Sequence, residues 1–185
     1  HPITPTFAAE IGDLDAGAPL SDADFAALDE AFNTYSVLIF PGQQLSDDAM
    51  IEFSARFGPL EATIQELRKG VTLRLRPEFA DTSNLDANDE LLAEDGQRRH
   101  FNSGNQLWHT DSSFRLLPAK ASLLYGRSIP PTGGQTEFAD LRAAYDALPE
   151  AMQARLEGLV AEHSITESRA KIGYDKFTAE ELEGL

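Results

Sequence analysis

No cysteine occurs among the 185 residues, which removes disulfide frameworks, thiolate metal sites and cysteine nucleophiles from consideration. No apolar run approaches the length that spans a bilayer. The opening His1-Pro2-Ile3-Thr4-Pro5 has neither the basic nor the apolar stretch of a secretory signal. A cytoplasmic protein is the expectation, with the missing initiator Met pointing to trimming or to residues ahead of His1. Positive charge is scarce: Lys plus Arg total 15 against 31 Asp plus Glu, a formal net charge of −16. A field of that sign repels phosphate backbones and argues against nucleic acid as a partner. One local basic pocket could still hold a small anion. Histidine is sparse as well, and the four present are too scattered for the His and Asp clusters of a di-metal hydrolase. What remains is ordinary for a soluble globular protein: 42% hydrophobic and 25% charged residues. The length suits a single domain, residues 1–185, with a real core.

The chain shows no repeat or low-complexity tract. Ser21 with Asp24 reads as a capping box opening a helix whose Phe25, Leu28 and Phe32 share a face. Residues 36–40 read as a buried strand stopped by Pro41-Gly42. Ser46 caps a second helix, with Met50, Phe53 and Phe57 on one side and Gly58-Pro59 ending it. Residues 71–76 alternate like a half-exposed strand, and 86–104 are polar without a period, as in a long functional loop. Further strands are expected at 121–125, 136–138 and 160–165, with a turn at Pro130-Pro131-Thr132-Gly133-Gly134. Asp140 caps a helix through Leu148, and Pro149 opens another carrying Met152, Leu156 and Leu159. Thr178 and Glu181 form a last capping box just before Leu185.

The chemistry sits in Asn105-Gln106-Leu107-Trp108-His109-Thr110-Asp111-Ser112-Ser113-Phe114. On extended backbone, residues two apart face the same way. His109 and Asp111 can thus offer an imidazole nitrogen and a carboxylate oxygen to one point, while Trp108 and Thr110 face away. A second imidazole would complete the 2-His-1-carboxylate triad of non-haem iron(II) oxygenases. A bare His-x-Asp is equally the pattern of a surface hydrogen-bonded pair. His1 is terminal, His100 lies beside Arg98 and Arg99, and His163 reads as a packed strand residue, so none supplies the third ligand.

Context favours the metal. The metal stretch, the run Pro130-Pro131-Thr132-Gly133-Gly134-Gln135-Thr136-Glu137-Phe138, and Arg142-Ala143-Ala144-Tyr145-Asp146-Ala147-Leu148-Pro149 resemble the taurine dioxygenase (TauD/TfdA) family. So do Glu157-Gly158-Leu159, Glu162-His163, Val37-Leu38-Ile39-Phe40-Pro41-Gly42-Gln43 and Arg56-Phe57-Gly58-Pro59-Leu60. Within the family the likeness is strongest to the 2,4-dichlorophenoxyacetate dioxygenases. It covers nearly the whole chain in order and weakens between residues 61 and 103 and in the last fifteen or so.

The resemblance implies a mostly β protein with flanking helices, a double-stranded β-helix (jelly roll) cut short on its C-terminal side. It implies Fe(II) on His109 and Asp111, and 2-oxoglutarate contacted by Thr136. Asn105 matches a position close to co-substrate or substrate. The implied reaction couples decarboxylation of 2-oxoglutarate, giving succinate and CO2, to hydroxylation of a small organic substrate by O2. A Gly at the place of Asp111 would open a halide site, so hydroxylation rather than halogenation is expected. The substrate is expected to be anionic, a phenoxyalkanoate or sulfonate, with Lys69, Arg74, Arg76, Arg98, Arg99 and His100 available to hold it. Residues 86–104 are expected to form a mobile substrate-side lid. No membrane partner is expected, and a homo-oligomer is left open. The family's distal His and 2-oxoglutarate-binding Arg fall beyond Leu185, so this chain alone is expected to be incompetent. The competing reading is therefore a non-catalytic fragment or an oxygenase-fold binding protein.

Overall fold

The computed structural model describes residues 1–61, 72–179 and 182. In chain order the elements are strand β1 (Ala9–Glu10), helix α1 (Asp22–Tyr35), strand β2 (Leu38–Ile39), and helices α2 (Asp47–Ala55), α3 (Gln97–Ser103), α4 (Leu141–Asp146), α5 (Glu150–Leu156) and α6 (Ile165–Ala170). A 3-10 turn at Gly104–Gln106 follows α3. The chain divides into two units, His1–Phe57 with Leu123–Val160, and Gly58–Ser122 with Ala161–Leu185.

The first unit is built on the two capped helices. Ser21 accepts from the Asp24 amide at 3.1 Å and starts α1, and Ser46 does the same for α2 through the Ala49 amide. Leu28 of α1 and Phe53 of α2 are buried with Ala16, and Phe40, Phe57 and Leu123 pack against them. Phe57 takes the edge-to-face contacts, its ring centroid 5.2 Å from that of Phe25 and 5.8 Å from that of Phe53. Each such side chain stabilises the unit by about 1.5–3 kcal/mol. The last turn of α1 has no basic residue, although its free carbonyls form the negative end of the helix dipole. Arg142 supplies the missing cation from α4, donating to the carbonyls of Asn33 and Thr34 at 3.2 Å. Gln43 ties a loop in the same unit, its amide donating to Leu14 O at 2.9 Å and accepting from Ala16 N at 2.8 Å.

The strands depart from expectation. The stretch 36–40 yields only β2, because Ser36 closes α1 in the left-handed region at φ 62°. β2 pairs in parallel with β1, Ala9 opposite Leu38 and Glu10 opposite Ile39. Residues 121–125, 136–138 and 160–164 form no strand among the described residues, and Ser164 instead caps α6. A strand needs a neighbour to receive its backbone groups; these segments leave Leu124, Phe138 and Val160 exposed, 67%, 58% and 94%. Among the described residues the mostly β expectation is thus represented by one two-stranded sheet beside six helices. Residues 72–76 are not a strand, and Val71, like Glu181 of the last capping box, lies outside the described residues. α4 stops at Asp146 rather than Leu148.

The second unit is organised by two polar anchors. Asp81, its side chain 7% exposed, receives Arg74 and Arg98 at 2.8 and 2.7 Å. Burial opposes its ionisation, yet the hydrogen bonds from Arg74 and Arg98 hold its carboxyl well below the usual carboxylate range. The hydrogen bonds to Asp81 and Asp89 raise Arg74 correspondingly. The second anchor joins α3 to the segment that follows α6, where Tyr174, 2% exposed, meets the rings of His100, Phe101 and Phe177. Residues 86–104 are therefore not a structureless loop: they carry a bridge between Leu85 and Leu91 at one end and α3 at the other.

Candidate metal centre

After the 3-10 turn the backbone opens at Leu107, and the carbonyl of that residue lies 2.7 Å from Nδ1 of His109. A carbonyl only accepts, so Nδ1 carries a proton and donates it there, which leaves metal binding to Nε2. Nε2 stands 3.2 Å from Oδ1 of Asp111. Such a pair needs a shared cation, either a second proton on the imidazole or a metal ion. Two ligands at right angles, each about 2.0–2.2 Å from one ion, lie about 3 Å apart. The donor set and its spacing therefore fit a divalent metal, and the backbone contact on Nδ1 is the outer support that metal-ligating histidines need. Both side chains are open to the surroundings, His109 at 40% and Asp111 at 59% exposure. Trp108, between Leu107 and His109, is 70% exposed.

The stretch beyond the pair is fixed by turns. Ser112 has φ 55°, its hydroxyl donates to Glu61, and Arg115 closes the turn with N–H to Ser112 O at 2.9 Å. His163 is not a packed strand residue: it is exposed, and its Nδ1 bonds the Ser113 hydroxyl at 2.8 Å. Among the described residues no group of three or more His, Cys, Asp or Glu side chains gathers around a common point.

Asn105 belongs to the same unit, its Oδ1 held by Arg169 at 2.9 Å. Thr136 belongs to the first unit. It is exposed, in no strand, and follows Gly133 and Gly134, both at positive φ as the expected turn requires. Of the basic residues offered for a substrate, Arg74 and Arg98 are taken up by Asp81. Arg76 lies 3.0 Å from Glu78, Arg99 lies 3.8 Å from Glu94, and His100 Nε2 is 2.6 Å from Ile172 O. Lys69 lies outside the described residues. Arg169 and the Ser113–His163 contact escaped sequence reasoning, since their partners are 64 and 50 positions away.

The sequence model described as taurine catabolism dioxygenase TauD, TfdA family, matches residues 1–183. The chain belongs to this family. It is 40% identical over 173 residues to an α-ketoglutarate-dependent 2,4-dichlorophenoxyacetate dioxygenase of Cupriavidus pinatubonensis, an alignment covering 94% of this chain and 60% of that protein. It is 36% identical over 182 residues to an (S)-phenoxypropionate/α-ketoglutarate dioxygenase of Sphingobium herbicidovorans, covering 97% of this chain and 58% of that protein. Among solved structures, AAD-2 in complex with Mn(II) and N-oxalylglycine superposes with a TM-score of 0.86 at 38% identity, over 100% of this chain and 63% of that one. This family member thus spans about 60% of the length of the curated relatives it matches. Among its described residues no helix is long and apolar enough to cross a membrane.

Proposed function

We propose that the protein is an Fe(II)- and 2-oxoglutarate-dependent dioxygenase that hydroxylates a small anionic substrate, a phenoxyalkanoate or sulfonate, in the cytoplasm. The observation that carries this is the pair itself: Nε2 of His109 at 3.2 Å from Oδ1 of Asp111, with Nδ1 occupied by Leu107 O. Iron(II) held there supplies the coupling of 2-oxoglutarate decarboxylation and O2 reduction to hydroxylation of a C–H bond. The chain's own part is to hold and to orient. Leu107 keeps the imidazole turned and in one tautomer, and Asp111 contributes a charged oxygen where a smaller residue would leave room for a halide. Thr136 is assigned to 2-oxoglutarate and Asn105 to 2-oxoglutarate or the substrate, a hydroxyl and an amide being donors that add no competing charge. Residues 86–104, which lead through α3 into the metal-binding stretch, are assigned to the substrate side.

The family likeness and the superposition on AAD-2 support a jelly roll, in which the extended segments bearing Leu124 and Phe138 would find ladder partners. The names of two relatives support the phenoxyalkanoate class, while a third, from Pseudomonas putida, is a dioxygenase of sulfate esters, anions related to but distinct from sulfonates.

The test is uncoupled and coupled turnover in the intact protein, measured as succinate and CO2 released from 2-oxoglutarate with and without phenoxyacetates and alkyl sulfonates. Stoichiometric hydroxylated or ether-cleaved product is expected with one of the two classes. Intact protein that binds these anions without consuming 2-oxoglutarate would support the binding-protein reading instead.

A further inference from the structure

The second unit contains a cation that no carboxylate neutralises among the described residues. Arg169 of α6 is 7% exposed, and its Nε has no hydrogen-bond partner there. The guanidinium lies 4.6 Å over the Phe101 ring, donates weakly to the Ser168 hydroxyl at 3.4 Å, and donates from Nη2 to Asn105 Oδ1 at 2.9 Å. Burial pulls its pKa below the usual arginine value, although a guanidinium stays charged across the physiological range. The neighbouring backbone makes room for it: a Cβ on Gly104 would sit 2.5 Å from Nη1.

This contact decides how Asn105 presents itself. A guanidinium has donors only, so the atom of the amide that meets it must be the oxygen. The two hydrogens of Nδ2 are thereby left for something else. Asn105 is exposed, and among the described residues nothing accepts from its Nδ2. An asparagine free to rotate would offer acceptor and donor in turn. One held by Arg169 offers donors alone, backed by a buried positive charge in a chain whose formal net charge is −16. Both features select an acceptor that is itself negative.

We propose that Arg169 is a positioning residue that locks the Asn105 side chain as an outward-facing donor, creating a carboxylate-selective contact four residues ahead of His109. The assignment rests on the dioxygenase reading, in which that carboxylate belongs to 2-oxoglutarate or to the anionic substrate.

Trp108, the one tryptophan of these 185 residues, lies three residues after Asn105 and is 70% exposed, so a fluorescence change that is lost in Trp108→Phe can report binding without turnover. The intact protein loaded with Mn(II) is titrated with 2-oxoglutarate, N-oxalylglycine and a phenoxyacetate, and Mn(II) affinity and melting temperature are measured alongside. Asn105→Asp gives Arg169 the carboxylate it lacks and removes the donors. Its melting temperature should hold or rise while the dissociation constant for at least one of the three anions rises tenfold or more. Asn105→Ala should weaken the same anion. Arg169→Met, which can still cover Phe101, should weaken it several-fold with Mn(II) affinity unchanged, and Arg169→Lys should restore part of the loss. Unchanged affinity for all three anions in a folded Asn105→Asp protein, or in Arg169→Met, would overturn the proposal and leave the dioxygenase reading standing. A wild-type protein that binds Mn(II) but none of the anions would overturn both.

Discussion

The orientation of His109 depends on a single backbone oxygen. With Leu107 O accepting from Nδ1, the ring cannot turn over without losing that bond, so the nitrogen offered beside Asp111 is settled before any metal arrives. The approach of His109 to Asp111 was legible in the sequence, because two side chains at i and i+2 share a face wherever the backbone is extended; the Leu107 contact was not. Arg169 was not legible: its partner Asn105 lies 64 positions away, and neither residue carries a periodic or capping signal. The same blindness made Arg74 and Arg98 look available for a substrate, since the Asp81 that occupies them is 7 and 17 positions distant. Thr136→Val keeps the shape and removes the hydroxyl, so the Michaelis constant for 2-oxoglutarate should rise about ten- to hundredfold, the value of about 1.5–3 kcal/mol for a hydrogen bond to a charged group. An unchanged constant with an altered substrate dependence would reassign the residue to the substrate.

Helices and strands differ in how far their causes reach along the chain. Ser21 and Ser46 each accept from an amide three residues on, a local event that a sequence displays directly. β2 exists only because β1, some thirty positions earlier, lies beside it, and the expected strands at 121–125 and 136–138 have no described neighbour at all. α3 was missed for another reason: Gly96 offers no side-chain cap, and the helix buries no residue fully, so it leaves no apolar period. What holds the polar segment preceding it is Asp81, and that can be tested by pH. Asp81→Asn preserves shape while removing the carboxylate that Arg98 and Arg74 share, leaving Arg74 with Asp89 alone, and should destabilise the intact protein by about 3 kcal/mol near neutrality, in line with removing one member of a buried ion pair. Because the folded carboxyl titrates below the unfolded one, its stabilisation is complete above the unfolded value of about 3.9 and fades as pH falls further. Urea unfolding should therefore show the same gap between variant and wild type at pH 7 and pH 5, closing only below about pH 4. A gap that closes between pH 7 and 5 would mean that another group is responsible.

Across these 185 residues, a net charge of −16 and the proposed anionic co-substrate pull in opposite directions, and the proposed resolution is local: a divalent cation with fixed donors around it, within an otherwise repelling field. Everything proposed about activity then hangs on whether His109 and Asp111 are ligands or an ordinary ion pair 3.2 Å apart. Electron paramagnetic resonance of Mn(II) titrated into the intact protein separates the two directly. One tightly held ion per chain is expected, lost in both Asp111→Ala and His109→Ala while circular dichroism shows the fold retained. Mn(II) bound equally well by wild type and both variants would contradict it.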